Sequence, residues 1–105
     1  MTDEKDNLKR IDAVLLLIRD ERIAQDHEWG AVTIHGHSPY VWMMLIQRQL
    51  GQVAAEVIAM KNAPGNNHEA NWQAARHNLI QAAAVMAAFI EDVDLFVEHM
   101  ETDGD

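Results

Sequence analysis

The chain has 105 residues, with 17 acidic and eight basic side chains, a net charge of −9 and no cysteine. This length predicts a single domain, and the lack of cysteine excludes disulfides and thiolate metal sites. The acidic charge excludes the basic surface on which binding to nucleic acid or anionic lipid depends, so we predict neither. With only five glycines and two prolines, and no alternating β-branched runs, the composition favours helices.

No segment resembles a membrane or export signal. The first ten residues are polar and lack the apolar core of a signal peptide. The longest apolar run, 82–90, is too short to cross a bilayer. We therefore expect a cytoplasmic protein.

The first helix is predicted over about residues 6–26. Gly30, after the segment HEWG at 27–30, is typical of a helix stop. Apolar residues at spacings of three and four give the helix one stripe, formed by Leu8, Ile11, Val14, Leu15 and Ile18.

The second helix is predicted from Pro39 to about Lys61. Ser38 is a good N-cap, and Pro39 occupies a position where no backbone N–H is needed. At about 100° per residue, six apolar side chains fall within an arc of about 80° and predict a core face. They are Trp42, Ile46, Leu50, Val53, Val57 and Met60.

A turn at 62–67 precedes the third helix, which is predicted to continue to about Met100. Asn66 could cap it, with Glu69 completing a capping box. A short turn between two long helices predicts that they pack antiparallel. The apolar stripe predicted to face the core comprises Trp72, Leu79, Ala83, Met86, Ile90, Val93 and Val97.

The predicted fold is an all-α helical bundle with two long antiparallel helices and an N-terminal helix. Residues 1–100 form the domain, and 101–105 form a disordered acidic tail. A chain of this size buries only about 60–65% of its unfolded surface. We therefore expect oligomerisation, first of all as a homodimer, to complete the core.

Three segments carry a family resemblance. They are RIAQDHEWG at 22–30, HSPYVW at 37–42 and NLIQAAAV at 78–85. Together, and in this order, they resemble the MazG-like all-α nucleotide pyrophosphohydrolases, in particular a small branch often encoded by phages. The resemblance spans about residues 16–95.

The resemblance implies a helical bundle that dimerises or tetramerises and cleaves the α–β bond of nucleoside triphosphates. The products would be a monophosphate and pyrophosphate. Carboxylates from two antiparallel helices would hold magnesium, a cation that prefers hard oxygen ligands. The metal would neutralise phosphate charge and help to generate the attacking hydroxide.

The metal-binding positions depart from the family pattern. The family has Glu-Glu-x-x-Glu on the second helix and Glu-x-x-Asp or Glu-x-x-Gln on the third. Here the corresponding residues are Arg48, Gln49 and Gln52, followed by Asn78 and Gln81. A site without an anionic ligand holds Mg²⁺ poorly, and Arg48 adds a positive charge. We therefore predict a degenerate site and no cofactor.

Other residues could still contact a ligand or nucleotide. Glu56 lies one helical turn beyond Gln52, Trp29 could stack on a base, and His37 lies beside the second helix start. The spacing of His27, His35 and His37 does not require the convergence that zinc needs, so a role in the helix start is favoured for His37. For Trp42 and Trp72 we favour core packing, and for Glu91, Asp94 and Glu98 a solvated face.

The leading functional hypothesis is a catalytically degenerate, phage-derived MazG-like protein that binds a protein partner or a nucleotide. An acidic scaffold of this kind could be an anti-CRISPR or another anti-defence inhibitor. The alternative is an active Mg-dependent pyrophosphohydrolase that converts NTPs or dNTPs to monophosphates and pyrophosphate.

Overall fold

A computed structural model describes residues 3–30, 38–63, 65 and 68–103 of the chain. It contains three helices, α1 (Glu4–Trp29), α2 (Pro39–Lys61) and α3 (Glu69–Asp103). The all-α prediction is confirmed. None of the described helices combines the length and apolar character that crossing a membrane requires.

Local capping interactions explain several of the helix ends. The side chain of Asp3 accepts a hydrogen bond from the Asp6 N–H at 2.9 Å and starts α1. Gly30 ends it with φ +89°, a conformation that glycine adopts without strain. The Ser38 Oγ accepts from the Val41 N–H at 3.3 Å, which confirms the predicted start of α2.

Two predictions about α3 need correction. Because the helix begins at Glu69, this residue is the first of the helix, whereas the glutamate of a capping box is the third. The predicted cap, Asn66, lies outside the described residues. At the other end, α3 continues to Asp103, so residues 101–103 of the predicted disordered tail are helical. Residues 104 and 105 lie outside the described residues.

The predicted antiparallel hairpin is formed by α2 and α3. Trp42, near the start of α2, contacts Phe89 and Asp92 in the second half of α3. Glu56, near the end of α2, contacts Asn71 at the start of α3. The order of these contacts is reversed along the two helices, as antiparallel packing requires.

The third helix lies between the other two. α1 packs on α3 as well, but in the described part of the chain α1 and α2 have no contact with each other. The result is an elongated arrangement of 62 × 34 × 23 Å with a Cα radius of gyration of 17.5 Å. A compact domain of this length has a radius of gyration of about 13 Å.

The core is small and centres on Trp42, which is 6% exposed and packs with Val85 and Ala88. The indole stacks on the Phe89 ring at a centroid distance of 5.9 Å, and its Nε1–H donates to Asp92 Oδ2 at 2.8 Å. The core prediction for Trp42 is therefore confirmed. Small side chains let the neighbouring helices approach α3 closely, and the buried ones are Ala75, Ala82, Ala84, Val85 and Ala88.

The apolar stripe predicted to be the core face of α3 is largely uncovered. Trp72 is 56% exposed, which contradicts its predicted packing role. Other members of the stripe are between 38% and 62% exposed, namely Leu79, Met86, Ile90, Val93 and Val97. The reason is that the alanine-rich sides of α3 pack against α1 and α2, and no other helix among the described residues covers this side.

Trp42→Ala tests the role of the indole as the main core side chain. Its removal should lower the free energy of unfolding by about 3–5 kcal/mol, because a large buried ring is replaced by a cavity. Urea unfolding followed by circular dichroism measures this change. The control Trp29→Ala removes an exposed indole and should change stability by no more than about 0.5 kcal/mol. Equal losses in the two variants would contradict the assignment.

Candidate functional site

The degenerate motif positions lie at one level of the α2–α3 hairpin. Contacts of Trp42 with Asp92 and of Glu56 with Asn71 fix the hairpin towards its two ends. With a rise of about 1.5 Å per residue, residues 49–52 of α2 then lie at the level of residues 78–81 of α3. Arg48 and Gln52 are exposed, and the half-buried members are Gln49, Asn78 and Gln81.

The side chains at this level, which we call the amide layer, comprise four amides and one guanidinium: Arg48, Gln49, Gln52, Asn78 and Gln81. The Gln49 Oε1 atom is buried and accepts no hydrogen bond from any described residue. A buried polar atom without a partner costs about 1–3 kcal/mol. Within the described ranges, no three or more His, Asp and Glu side chains come together in a way that could hold a metal ion.

Glu56 is the carboxylate next to the amide layer. It is half-buried, and its Oε2 accepts a hydrogen bond from the Asn71 Nδ2 at 3.4 Å. This contact directs the carboxylate towards the start of α3. Glu56 thus already has a structural role in joining the two helices.

The other two candidate contact residues are not brought to the amide layer by any described interaction. Trp29 is the last residue of α1 and its side chain is exposed. His37 lies outside the described residues, as does His35, so the expected role of His37 in the helix start stays a prediction. His27 is exposed in the last turn of α1.

The segment at 22–30 docks α1 on α3 through Arg22. Its Nε donates to Glu91 Oε2 at 2.6 Å and its Nη2 to Glu91 Oε1 at 3.1 Å, while Nη1 bonds to Asp26. Partial burial lowers the pKa of Arg22, but the hydrogen bonds and charges of Glu91 and Asp26 more than offset this and leave the pKa raised. Glu91 is exposed, as predicted for its face, and in addition pairs with Arg22.

Gln25 is a second contact that sequence reasoning missed. It is only 4% exposed, and its Nε2 donates to the backbone carbonyl of Gln81 at 3.4 Å. This bond connects the first motif segment to a residue of the amide layer. The signal was present in the spacing, because Gln25 lies seven residues after Ile18 and so continues the apolar stripe of α1.

Arg22→Met tests how α1 is held on α3. The variant keeps the length and apolar part of the side chain but loses the bonds to Glu91 and Asp26. Hydrogen exchange of α1 amides should become about five- to tenfold faster, a modest factor because Glu91 is half exposed to solvent. The control Arg19→Met alters an exposed arginine of the same helix and should leave exchange unchanged. Identical exchange in the two variants would contradict this role.

The amide layer and its contact Gln25 thus involve two of the three segments on which the family resemblance rests, 22–30 and 78–85, together with residues 48–52 of α2. Compared with models of known protein families, with curated proteins and with solved structures, the chain has no match. The resemblance to MazG-like proteins stays a prediction that rests on the three segments themselves.

Proposed function

We propose that this protein acts by binding a protein partner and does not hydrolyse nucleotides. The observation that carries the proposal is the composition of the amide layer. Four positions at which the phage-type MazG-like pattern has carboxylates hold Arg48, Gln49, Gln52 and Asn78 instead, and Gln81 matches the glutamine of that branch. Amide oxygens can join a magnesium shell, but without an anionic ligand they do not offset the cost of dehydrating Mg²⁺.

Amides at these positions suit a structural role. A half-buried Gln or Asn both donates and accepts hydrogen bonds, so a layer of them can join helices without a metal ion. Within the described part of the chain, the Oε1 atom of Gln49 is buried and accepts no hydrogen bond.

The finer proposal is a phage-derived, MazG-like inhibitor of a host nucleic-acid-binding system, such as an anti-CRISPR or another anti-defence protein, which assembles as a homodimer. Its support is the charge of −9, which would complement the basic surface of a nucleic-acid-binding target and speed the encounter. The same charge disfavours direct contact with nucleic acid.

The alternative is an active pyrophosphohydrolase with a rearranged site. Glu56 favours it, because this carboxylate lies one turn from Gln52 and faces α3. A nucleotide binder without turnover is a further outcome, in which Arg48 would contact phosphate and Trp29 would stack on the base.

The purified protein should release no pyrophosphate from a panel of NTPs and dNTPs with Mg²⁺ or Mn²⁺. Thermal unfolding should also be unchanged by these nucleotides. Turnover that Glu56→Ala abolishes would refute the proposal and establish the enzyme. A nucleotide-dependent thermal shift without turnover would instead support the nucleotide binder.

A variant with restored carboxylates serves as the positive control for this assay. On a MazG-like scaffold it should gain a Mg²⁺-dependent rise in melting temperature that the natural sequence lacks. The restored variant combines Gln49→Glu, Gln52→Glu and Asn78→Glu. A matched variant adds three negative charges at exposed positions elsewhere and should gain no such rise. It combines Gln47→Glu, Gln73→Glu and Asn7→Asp.

Protein binding is tested by immobilising the chain and capturing partners from a bacterial lysate. We expect to capture a nucleic-acid-handling protein. Double-stranded DNA should displace it from the immobilised chain, because DNA and this acidic chain would compete for the basic surface of the captured protein. Recovery of only DNA-insensitive partners would contradict the inhibitor proposal. A variant with lowered acidity, such as Asp94→Asn with Glu98→Gln on α3, measures how much the charge contributes.

A further inference from the structure

An uncovered apolar surface extends across α1 and α3. We call it the outer apolar face and define it by the exposed α1 residues Leu8, Ile11 and Val14 and the exposed α3 residues Leu79, Met86 and Ile90. The two helices meet in a groove in which Val14 of α1 lies across from Leu79 and Met86 of α3. The face is therefore one continuous surface and not a scatter of separate side chains.

The apolar stripe of α1 continues through the first half of the helix, as in a helix that is packed from end to end. Ile11, Ile18 and Gln25 follow each other at intervals of seven residues and so lie on one side of the helix. Gln25 is buried against α3 and Ile18 is half-buried, whereas Ile11 is 52% exposed. α3 therefore covers this side of α1 near the C-terminal end of α1 but leaves it exposed near the N-terminal end.

The chain as a whole exposes more surface than a compact monomer of its mass. The chain has an accessible surface of 7981 Å². A folded monomer of 11.9 kDa is expected to expose about 5,900 Å². The difference of about 2,000 Å² belongs to the whole chain, including the exposed side of α2, and is larger than the roughly 800 Å² that each partner contributes to a standard interface.

Charge makes this face suitable for contact between two acidic chains. The residues that line its two hollows include Arg10 and Arg76 but no carboxylate, although the chain has 17 acidic residues. The two hollows therefore hold no negative charge that would repel a second copy of charge −9. The arginines can also pair with acidic side chains at the rim of the opposite copy.

We propose that the outer apolar face is the contact surface of a homodimer, with the first half of α1 of each copy packed on the exposed side of α3 of its partner. A two-fold arrangement lets each copy offer the same face to the other, which closes the assembly at two subunits. This assignment rests on the homodimer part of the proposed function, but it does not depend on the absence of catalysis.

Sedimentation equilibrium at micromolar concentrations tests the assignment. The natural sequence should have twice the 11.9 kDa chain mass. Ile90→Asp should weaken the dimer by at least about 100-fold, because the contact would bury an unpaired charge. The control Met44→Asp alters a side chain on α2 that is 68% exposed and should leave the dimer intact.

The outcomes separate the two claims. A monomeric natural sequence would refute both the homodimer and the face. A dimer that persists in Ile90→Asp but dissociates in Met44→Asp would refute only the face.

If Ile90→Asp does not fold, single-cysteine variants replace it, because the chain has no other cysteine. The thiol of Ile90→Cys should react more slowly with a maleimide in concentrated than in dilute protein solution, because the dimer would cover it. The thiol of Met44→Cys should react at the same rate in both solutions. The reverse pattern would overturn the assignment.

Discussion

A long helix with apolar side chains on several sides is stable in water only when each of those sides is covered, and α3 is such a helix. One side packs on α2 around Trp42, and another packs on α1 through Gln25 and Arg22. Alanines on these two sides allow close approach. Its third side has larger side chains, including Ile90 and Trp72, and neither α1 nor α2 covers it.

Because α3 lies between α1 and α2, it also connects the amide layer to both helices. The half-buried Gln81 lies at the level of residues 49–52 of α2, and its backbone carbonyl accepts a hydrogen bond from Gln25 of α1. In a metal-dependent enzyme on this scaffold, carboxylate charge in the layer would need a bound cation as compensation. Amides need none, which agrees with a scaffold that acts through its surfaces.

Local signals in the sequence predicted the helices well. Ser38, Pro39 and Gly30 act on adjacent backbone, so their effects can be read without knowledge of the tertiary structure. Periodicity identified the apolar side of α3 but not what covers it, because the choice between a neighbouring helix and another molecule depends on long-range packing. The Arg22–Glu91 pair spans 69 residues of sequence, and nothing local distinguishes Glu91 from Asp94 nearby.

The most direct test of the uncovered third side is an isotope-filtered nuclear Overhauser spectrum of an equimolar mixture of labelled and unlabelled chains. We expect contacts between copies that join methyl groups of Ile11 and Val14 in one chain to those of Ile90 and Val93 in the other. A spectrum without contacts between copies would contradict this expectation. So would contacts confined to the Tyr40 and Met44 side of α2.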